Sequence, residues 1–393
     1  MAISKISANM IDGSLTSSLV TGSLPAVDGS ALTGAVDGID TETTSDPLLT
    51  SNPSGGVGTV WLNTTTGELF NCSNATTDGN VWTNIGSGEG DVRLSFQGSI
   101  SGFLAGGYAA PNSVATIDKF NFAANVTATD HGDLTVARNE VAGQTDFVNN
   151  KGYASGGVLN DGTTRTNVID KFAFASSGNA TDHGDLTVAR KLHMSGSSSK
   201  THGYSSAGDP TGPPISDTID KFAFGSNANA TDHGNLTLSK QRPACGSSET
   251  HGFVCGGQEP PNSRTDRIEK FAFASNTTAT DFGDLTGTKG QASCASSITH
   301  NFVGGGFTGS AKTNVIDKFA FASANNAVDH GDLTVAKSGG ASCSGLQYGF
   351  FCGGNVSPGQ TNVIGKYPYA TNSGSVDHGD LVANNSSQAS SQY

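Results

Sequence analysis

Val168-Ile169-Asp170-Lys171-Phe172-Ala173-Phe174 is the stretch that decides the fold. Apolar side chains would fall on both faces of this segment if it were extended, whereas a strand with one face on water would alternate apolar and polar residues. Such a strand belongs in a sheet that is covered on both sides. The phrase Ile-Asp-Lys-Phe-x-Phe or a variant occurs six times, beginning at Ile117, Ile169, Ile219, Ile268, Ile316 and Ile364.

Two further landmarks recur with this phrase. Asp-His-Gly-Asp-Leu or a variant begins 12 residues after the second residue of each copy, and a glycine pair or near-pair precedes each copy. Successive copies are spaced by 52, 50, 49, 48 and 48 residues. Within residues 190–236 the pattern predicts four strands, at 192–199, 203–208, 218–226 and 230–236. A four-stranded repeat of about 50 residues is typical of a β-propeller blade.

The repeats resemble the kelch and galactose-oxidase type of propeller over residues 92–382. The resemblance is carried by the glycine pair, by Asp-Lys-Phe where kelch blades often have Tyr-Asp, and by Leu-Thr-Val-Ala-Arg before the next blade. The blades lack the tryptophan that kelch repeats carry in strand four. The resemblance implies an all-β fold with a six-bladed kelch-like β-propeller. The first blade is expected to start with its own strand at 93–100 and the last to end at 377–382, with an extra strand at 81–85 as the alternative at the seam.

The first 91 residues differ from the repeats. Residues 1–50 are low in complexity, with isolated Leu, Ile and Val among turn formers, so we expect an extended segment without a core of its own. Residues 51–91 are predicted to form a small β-hairpin module around Trp61 and Trp82. After the propeller, residues 383–393 are predicted to be a polar C-terminal tail.

This N-terminal region resembles that of tail-fibre and other virion proteins of marine tailed bacteriophages, including cyanophages. The matching segments are 24–34, 58–63 and 82–86, and Ile-Asp-Lys-Phe-Ala-Phe-Ala-Ser is similar to repeats in those phages. The resemblance implies a virion structural protein, made in the host cytoplasm, that docks to other virion proteins through residues 1–90. It also implies a homo-oligomer, a trimer by analogy with fibres, and a host surface glycan or protein as the external partner.

The charge balance disfavours a nucleic-acid partner. Lys and Arg total 21 against 34 Asp and Glu, so the formal net charge of −13 could not neutralise a run of phosphates. No stretch approaches the roughly 18 consecutive apolar residues of a membrane helix, so no membrane insertion is expected. The N-terminal residues lack the apolar core of a signal peptide, so no export route is predicted.

The cysteines lack the C-x-x-C spacing of zinc sites and redox motifs. They are Cys72, Cys245, Cys255, Cys294, Cys343 and Cys352. We interpret them as small apolar residues of a protein made in a reducing compartment. Pairing across a hairpin, of Cys245 with Cys255 or of Cys343 with Cys352, stays open at this point.

The histidines of the second phrase are a candidate metal site, because two carboxylates flank most of them. However, Phe282 takes the histidine position in the fourth repeat, and a metal ligand is not replaced by a phenyl ring without loss of that site. We therefore predict no metal and no cofactor. The residues assigned to the structural repeat are Asp118, Asp170, Asp220, Asp317, His131, His183, His233, His330 and His378.

Residues that recur in every unit belong to the scaffold, so binding is expected where the units differ. They differ mostly between strands two and three, and these loops emerge on the same face as the blade-to-blade connections. Aromatic side chains there suit stacking on a sugar, and cations suit phosphate or carboxylate; ordinary solvated loops are the alternative. The candidate receptor-binding residues are Tyr108, Asn112, Arg165, Pro213, Pro214, Glu259, Arg264, Phe307 and Lys312.

Enzyme motifs are absent from the sequence: it has no nucleophile elbow, no His-Glu-x-x-His, no P-loop and no dinucleotide fingerprint. We therefore predict a non-enzymatic bacteriophage appendage, a tail fibre in the first instance, whose propeller loops contact the host. One alternative is a capsid or neck decoration protein without receptor binding. Another is a cell-surface polysaccharide depolymerase that uses scattered carboxylates such as Glu259 and Glu269.

Overall fold

The computed structural model describes residues 39–85, 96–191, 196–210 and 214–393. These residues form strands, turns and irregular loops, and they contain no helix. Accordingly, a helix able to cross a membrane is not found among them. The chain divides into two compact units, residues 1–94 and 95–393. Of residues 1–90, which are predicted to dock to a particle, 1–38 and 86–90 lie outside the described residues.

The described part of the N-terminal unit contains one four-stranded sheet. Its strands, in sheet order, are Thr41–Thr43, Val60–Asn63, Leu69–Asn74 and Val81–Asn84. The first two strands are parallel and the other pairs antiparallel. Trp82 is fully buried, with its ring centroid 5.6 Å from that of Trp61. The predicted module is thus a sheet that includes Thr41–Thr43, so the predicted boundary at residue 50 falls inside it.

The described part of the larger unit contains six antiparallel four-stranded sheets, numbered 1 to 6 along the chain. The second strands are Ser101–Ala105, Lys151–Ser155, His202–Ser206, His251–Cys255, His300–Gly304 and Tyr348–Cys352. The third strands are Thr116–Asn121, Val168–Ala173, Thr218–Ala223, Arg267–Ala272, Val315–Ala320 and Val363–Pro368. The fourth strands are Thr129–Asp133, Thr181–Asp185, Thr231–Asn235, Thr280–Asp284, Val328–Asp332 and Val376–Asp380.

The first strands of sheets 2 to 6 precede the others in the chain. They are Ala142–Asp146, Ser197–Ser198, Ala244–Ser247, Ser293–Ser296 and Ala341–Ser344. Two-residue strands also pair in the connections: Tyr108–Ala109 with Asn112–Ser113, Arg138–Asn139 with Val158–Leu159, Arg190–Lys191 with Asp209–Pro210, and Gln258–Glu259 with Ser263–Arg264. The all-β class and the four strands of repeats 2 to 6 are therefore as the sequence predicts. Residues 192–195 of the predicted first strand of sheet 3 lie outside the described residues.

Sheet 1 takes its first strand from the C-terminus. Ala389–Gln392 pairs with Ser101–Ala105, with Ser390 opposite Leu104. The prediction of a polar tail at 383–393 is wrong for this strand, and so is that of a first strand at 93–100 for the described residues 96–100. Val81–Asn84 belongs to the N-terminal sheet instead. The strand escaped prediction because Ala-Ser-Ser-Gln carries no repeat phrase and little apolar character.

The third strand explains why the second residue of the second strand is glycine in five of the six sheets, with Asn301 in its place in sheet 5. Gly152 lies opposite Phe172 in the sheet, and a Cβ at Gly152 would lie 2.2 Å from the Phe172 ring. The Phe172 ring therefore lies across the second strand at Gly152, and any side chain larger than that of glycine at this position would displace the ring. On the other face of the third strand, Ile169 is fully buried against Phe222 of sheet 3. Both faces of the strand are covered, as its pattern predicts, and each such buried side chain contributes about 1.5–3 kcal/mol.

Apolar clusters join consecutive sheets. The clusters between sheets 1 and 2, 2 and 3, 3 and 4, 4 and 5, and 5 and 6 are each built from the facing strands of the two sheets. A further cluster joins sheet 6 to sheet 1 and contains Phe120 and Phe122 with Phe350 and Ile364. The Phe122 and Phe350 rings stack with their centroids 4.6 Å apart. Sheets 1 and 6 thus cover each other in the same way as neighbours in sequence.

Hydrogen bonds between the first strands follow the same order. In each, a backbone N–H of one strand donates to a side-chain oxygen of the first strand of another sheet. The donors and acceptors are Thr145 N to Ser198 Oγ (2.9 Å), Ser198 N to Ser247 Oγ (2.9 Å), Ser247 N to Ser296 Oγ (3.4 Å), Ser296 N to Ser344 Oγ (2.9 Å), Ser344 N to Gln392 Oε1 (3.5 Å) and Gln392 N to Thr145 Oγ1 (3.2 Å). After six steps the series returns to the residue where it began.

All six cysteines are buried and free. Cys245 lies opposite Val254 in its sheet, and Cys343 lies opposite Phe350, so neither is directly opposite the cysteine of its own hairpin, and no disulfide joins them. Asn301 of sheet 5 instead lies between two thiols from different sheets, with Nδ2 3.8 Å from the Cys255 sulfur and 3.6 Å from the Cys294 sulfur. The five cysteines of the larger unit act as small apolar residues between sheets, and Cys72 packs with Phe70 and Trp82 in the N-terminal unit.

Truncation after Gln388 tests the importance of the C-terminal strand. Removing residues 389–393 exposes the edge of Ser101–Ala105 and takes away the Ser391 Oγ donor to Gln144 O. We expect the melting temperature of the larger unit to fall by about 10 °C or more in calorimetry. As a control, Ser391→Ala loses that hydrogen bond alone, and its melting temperature should stay within a few degrees of the parent value. An unchanged melting temperature in the truncated chain would contradict the role assigned to the strand.

Candidate binding surface

The loops predicted to bind a receptor lie at one end of the sheets. Because the strands are antiparallel, the loops between second and third strands emerge at the same end as the connections from each fourth strand to the next sheet. We call this the loop end, and the opposite end, with the first-to-second turns and third-to-fourth loops, the turn end. Eight of the nine predicted binding residues are described and belong to the loop end, and Pro213 lies outside the described residues.

The predicted cations of the loop end contact the loop of the neighbouring sheet. Arg165 of sheet 2 donates from Nη2 to the Asp209 carboxylate at 2.8 Å and from Nε to the Asp209 carbonyl at 3.0 Å. Lys312 of sheet 5 donates from Nζ to the Val356 carbonyl at 2.8 Å and to Ser357 Oγ at 2.9 Å. The sequence predicted that these cations meet an external anion, whereas their contacts within the chain are to the next sheet.

The same arrangement joins two other predicted residues. The Arg264 guanidinium of sheet 4 lies 5.3 Å from the ring centroid of Phe307 of sheet 5, at the distance of a cation–π contact. Arg264 also donates from Nη1 to the Asn262 carbonyl at 3.0 Å. Glu259 pairs with Ser263 in the short hairpin beside them and is half-buried. These contacts fix the loops in one shape, which lowers the ordering cost of any binding event.

Two residues that sequence analysis missed complete this set of contacts. Gln360 of sheet 6 donates from Nε2 to the Tyr108 carbonyl and to Ser386 Oγ, both at 2.7 Å. Asn160 of sheet 2 accepts from the Ser113 backbone of sheet 1 at 2.7 Å. A short amide side chain in a variable loop carries no sequence signal of its own. The groups left exposed at the loop end include Tyr108, Asn112 and Pro214.

Buried ion pairs lie beneath the loops. In each, a cation in the connection to the next sheet meets the acidic residue of that sheet's third strand, and every side chain is at most 3% exposed. The pairs are Arg138–Asp170 (3.0 Å), Arg190–Asp220 (2.8 Å), Lys240–Glu269 (2.5 Å) and Lys289–Asp317 (2.6 Å). Asp170, Asp220 and Asp317, which were assigned to the structural repeat, thus hold the connections against the sheets, and Glu269 does the same in sheet 4.

The sixth repeat lacks one member of each of two such ion pairs. Gly365 stands at the acidic position, so Lys337 in the connection before it has no carboxylate partner there and donates to the Phe351 carbonyl at 3.1 Å. Asn385 stands at the cation position, so Asp118 of sheet 1 has no cation opposite. Burial lowers the pKa of Lys337 from 10.5 to about 8. Burial raises the pKa of Asp118 from 3.8 to about 6, with the Asp130 carboxylate acting in the same direction.

The histidines of the second phrase join each fourth strand to the third strand of the next sheet. His183, for example, bonds through Nε2 to the Ala223 carbonyl at 2.9 Å and packs edge-on against Tyr153 at 5.0 Å between ring centroids. Phe282 occupies the same place in sheet 4, with its ring 5.2 Å from that of Phe253. Burial lowers the pKa of His183, so its imidazole stays neutral at pH 7. The position therefore serves packing, which a phenyl ring also provides.

The described residues hold no cluster of three or more His, Cys, Asp or Glu side chains suited to a metal ion. No known family model matches the chain, and no curated protein is similar to it at a significant level. What the loop end provides is a fixed set of divergent loops with exposed aromatic, amide and proline groups.

The same substitution at Asp118 and at Asp170 should have opposite effects on stability. Because the folded-state pKa of Asp118 is raised, its protonated carboxyl group favours folding below about pH 4, and this contribution is lost as the pH rises through about 6. Asp118→Asn should therefore raise the free energy of unfolding by about 2–3 kcal/mol at pH 8, and the gain should vanish near pH 4. Asp170→Asn leaves Arg138 unpaired and should cost about 3–5 kcal/mol. Denaturant unfolding at both pH values measures each effect, and a loss of stability in both variants would contradict the assignment.

Proposed function

We propose that the six sheets form a closed six-bladed β-propeller of the kelch-like type. The cluster between sheets 6 and 1 supports this, because a linear stack would leave Phe120 and Phe350 on uncovered faces. The hydrogen-bond series that returns from Gln392 to Thr145 supports it as well. In this arrangement Ala389–Gln392 joins the two ends of the chain's larger unit in one sheet. A strand from each terminus in one blade would prevent the ring from opening without breaking a sheet.

The proposed function is that of a bacteriophage virion structural protein, a tail fibre or similar appendage. Residues 1–90 would dock the protein to the particle, and the loop end of the propeller would contact the host surface. The observation that carries this proposal is the loop end itself. Loops of different sequence contact one another there, and the buried ion pairs of the repeats lie beneath them. Weak contacts by these loops would be multiplied by several copies on each particle, as expected for adhesion. The resemblance of the N-terminal region and repeats to phage proteins is the reason for proposing a virion protein.

One observation favours the decoration alternative. The cationic groups of Arg165, Arg264 and Lys312 contact the neighbouring sheet, and such contacts make the loop end rigid. A capsid or neck decoration protein needs such rigidity and no receptor. The depolymerase alternative gains less support, because Glu269 is fully buried and paired with Lys240. A carboxylate in that position cannot reach a polysaccharide.

Retention on envelope polysaccharide distinguishes the three functions. We expect the purified full-length chain to be retained on immobilised polysaccharide from marine cyanobacteria, with no shortening of the polymer in size-exclusion chromatography. Shortening of the polymer would favour a depolymerase, and neither retention nor shortening would favour a decoration protein.

Tyr108→Ala locates the contact at the loop end. The Tyr108 side chain is 37% exposed, so its loss should remove contact area without disturbing a core. We expect retention to weaken by about fivefold, the effect of losing roughly 1 kcal/mol. Thr181→Ala, on an exposed fourth strand, is the matched control and should bind like the parent chain. Equal weakening in both variants, or in neither, would contradict a loop-end contact at Tyr108.

A further inference from the structure

The ion-pair position of sheet 6 has a cation but no carboxylate. In sheet 5, both oxygens of the Asp317 carboxylate have partners. Thr286 donates to Oδ1 from its hydroxyl group and from its backbone N–H at 3.3 Å, and the Lys289 ammonium lies 2.6 Å from Oδ2. Sheet 6 has Gly365 in place of Asp317 and keeps the lysine, as Lys337. A buried ammonium group therefore lies beside a residue that has no side chain.

Gly365 has room for side-chain atoms near this ammonium group. A Cβ built on Gly365 would have Ser375 Oγ, at 3.3 Å, as its nearest neighbour, and the Phe351 carbonyl oxygen would lie at 3.7 Å. Phe351 is directly opposite Gly365 in the sheet, and the Lys337 ammonium donates to the same carbonyl at 3.1 Å. The Lys337 ammonium and the space beside Gly365 therefore meet at the Phe351 carbonyl.

Ser375 takes the place of one carboxylate oxygen. The Thr334 backbone N–H donates to Ser375 Oγ at 3.0 Å, as the Thr286 N–H donates to Asp317 Oδ1 in sheet 5. The oxygen that meets the lysine, Oδ2 of Asp317, is replaced by the Phe351 carbonyl alone among the described residues. At the position of Ser375, the other sheets have Ala128, Ala180, Ala230, Ala279 and Ala327.

The Lys337 ammonium lacks a counter-charge. The residue is 5% exposed, and burial lowers its pKa to about 8, so it still carries its charge at pH 7. A carbonyl oxygen accepts a hydrogen bond but does not neutralise the charge, and an uncompensated buried charge is destabilising. Thr334 is exposed and Ser375 is half-buried, so the position has a side towards solvent. A small anion from solution can therefore supply the counter-charge.

We propose that sheet 6 binds a chloride ion between Lys337 Nζ and Ser375 Oγ, beside Gly365. The ammonium supplies the charge, and the Ser375 hydroxyl donates a hydrogen bond to the ion while it accepts one from Thr334. A single atom suits the site better than a carboxylate, because Ser375 Oγ already lies in the place of the first carboxylate oxygen. The site does not depend on the proposed role in a virion, since all of its groups belong to the scaffold beneath the loops.

Thermal unfolding of the full-length chain in chloride tests the proposal. Sodium chloride is compared at pH 7 with sodium gluconate of equal ionic strength, because gluconate is too large for the site. The control is the double variant Gly365→Asp with Ser375→Ala, which restores the residues of sheets 2, 3 and 5 and supplies its own carboxylate. Chloride should raise the Tm of the parent by about 2–4 °C more than that of the double variant. Lys337→Met should lose this extra rise.

Ser375→Ala tests the size of the anion. It frees the place of the first carboxylate oxygen, so acetate can accept from Thr334 and from Lys337 as the Asp317 carboxylate accepts from Thr286 and Lys289 in sheet 5. Relative to the double variant, the parent should be stabilised more by chloride than by acetate, and Ser375→Ala more by acetate than by chloride. The same order of the two anions in both chains would overturn the place assigned to Ser375 Oγ.

Anomalous diffraction from crystals soaked in sodium bromide locates the ion directly. We expect a bromide peak beside Lys337 Nζ and Ser375 Oγ in the parent and no such peak in the double variant. The proposal is overturned if this peak is absent from the parent, if chloride stabilises the parent no more than the double variant, or if Lys337→Met keeps the chloride effect. None of these measurements involves the loop end, so failure of this site is distinct from failure of the proposed function.

Discussion

A third strand that is apolar on both faces needs a sheet against each face, and the rest of the structure depends on that requirement. In sheet 2, Phe172 and Phe174 pack towards sheet 1, and Ile169 packs towards sheet 3. A row of such sheets would leave two outer faces uncovered. The cluster containing Phe120 and Phe350 leaves neither of these faces uncovered, because sheets 6 and 1 cover each other. Each sheet therefore depends on two neighbours, which makes cooperative unfolding of the larger unit the natural expectation.

Much of this could be predicted from the sequence, because the strands, their order and their two-sided burial are written into every repeat. Features that depend on a partner far away in the chain could not. Ala389–Gln392 contains no repeat phrase, and its place in sheet 1 depends on a partner almost 290 residues earlier in the chain. The ion pairs join residues about 30 apart, such as Arg138 and Asp170, and the sequence shows each member without its partner. Among the predicted binding residues, Arg165 and Lys312 have neighbours in the fold that only the structure reveals.

The two ends of the sheets use their sequence differences in distinct ways. At the loop end, hydrogen bonds join loops of different sequence, so sequence variation among these loops is compatible with a rigid surface. At the turn end the residue two before the second strand is polar in sheets 2 to 4, whereas Ile298 and Leu346 stand there in sheets 5 and 6. Sheet 6 also carries Gly365 at the acidic position of the ion pair and is followed by Asn385 at the cation position. The last repeat is thus the one in which the scaffold is most altered, at a cost in buried, unpaired charge.

Distances between spin labels on the fourth strands test the closed arrangement most directly. Thr129, Thr181, Thr280 and Val376 begin the fourth strands of sheets 1, 2, 4 and 6 and are exposed, so cysteine at each accepts a label while the six native cysteines stay buried. In a closed six-bladed ring, the distance from Thr129 to Val376 should match that from Thr129 to Thr181, and both should be shorter than that from Thr129 to Thr280. A Thr129 to Val376 distance longer than both others would mean a linear row of sheets and would contradict the account.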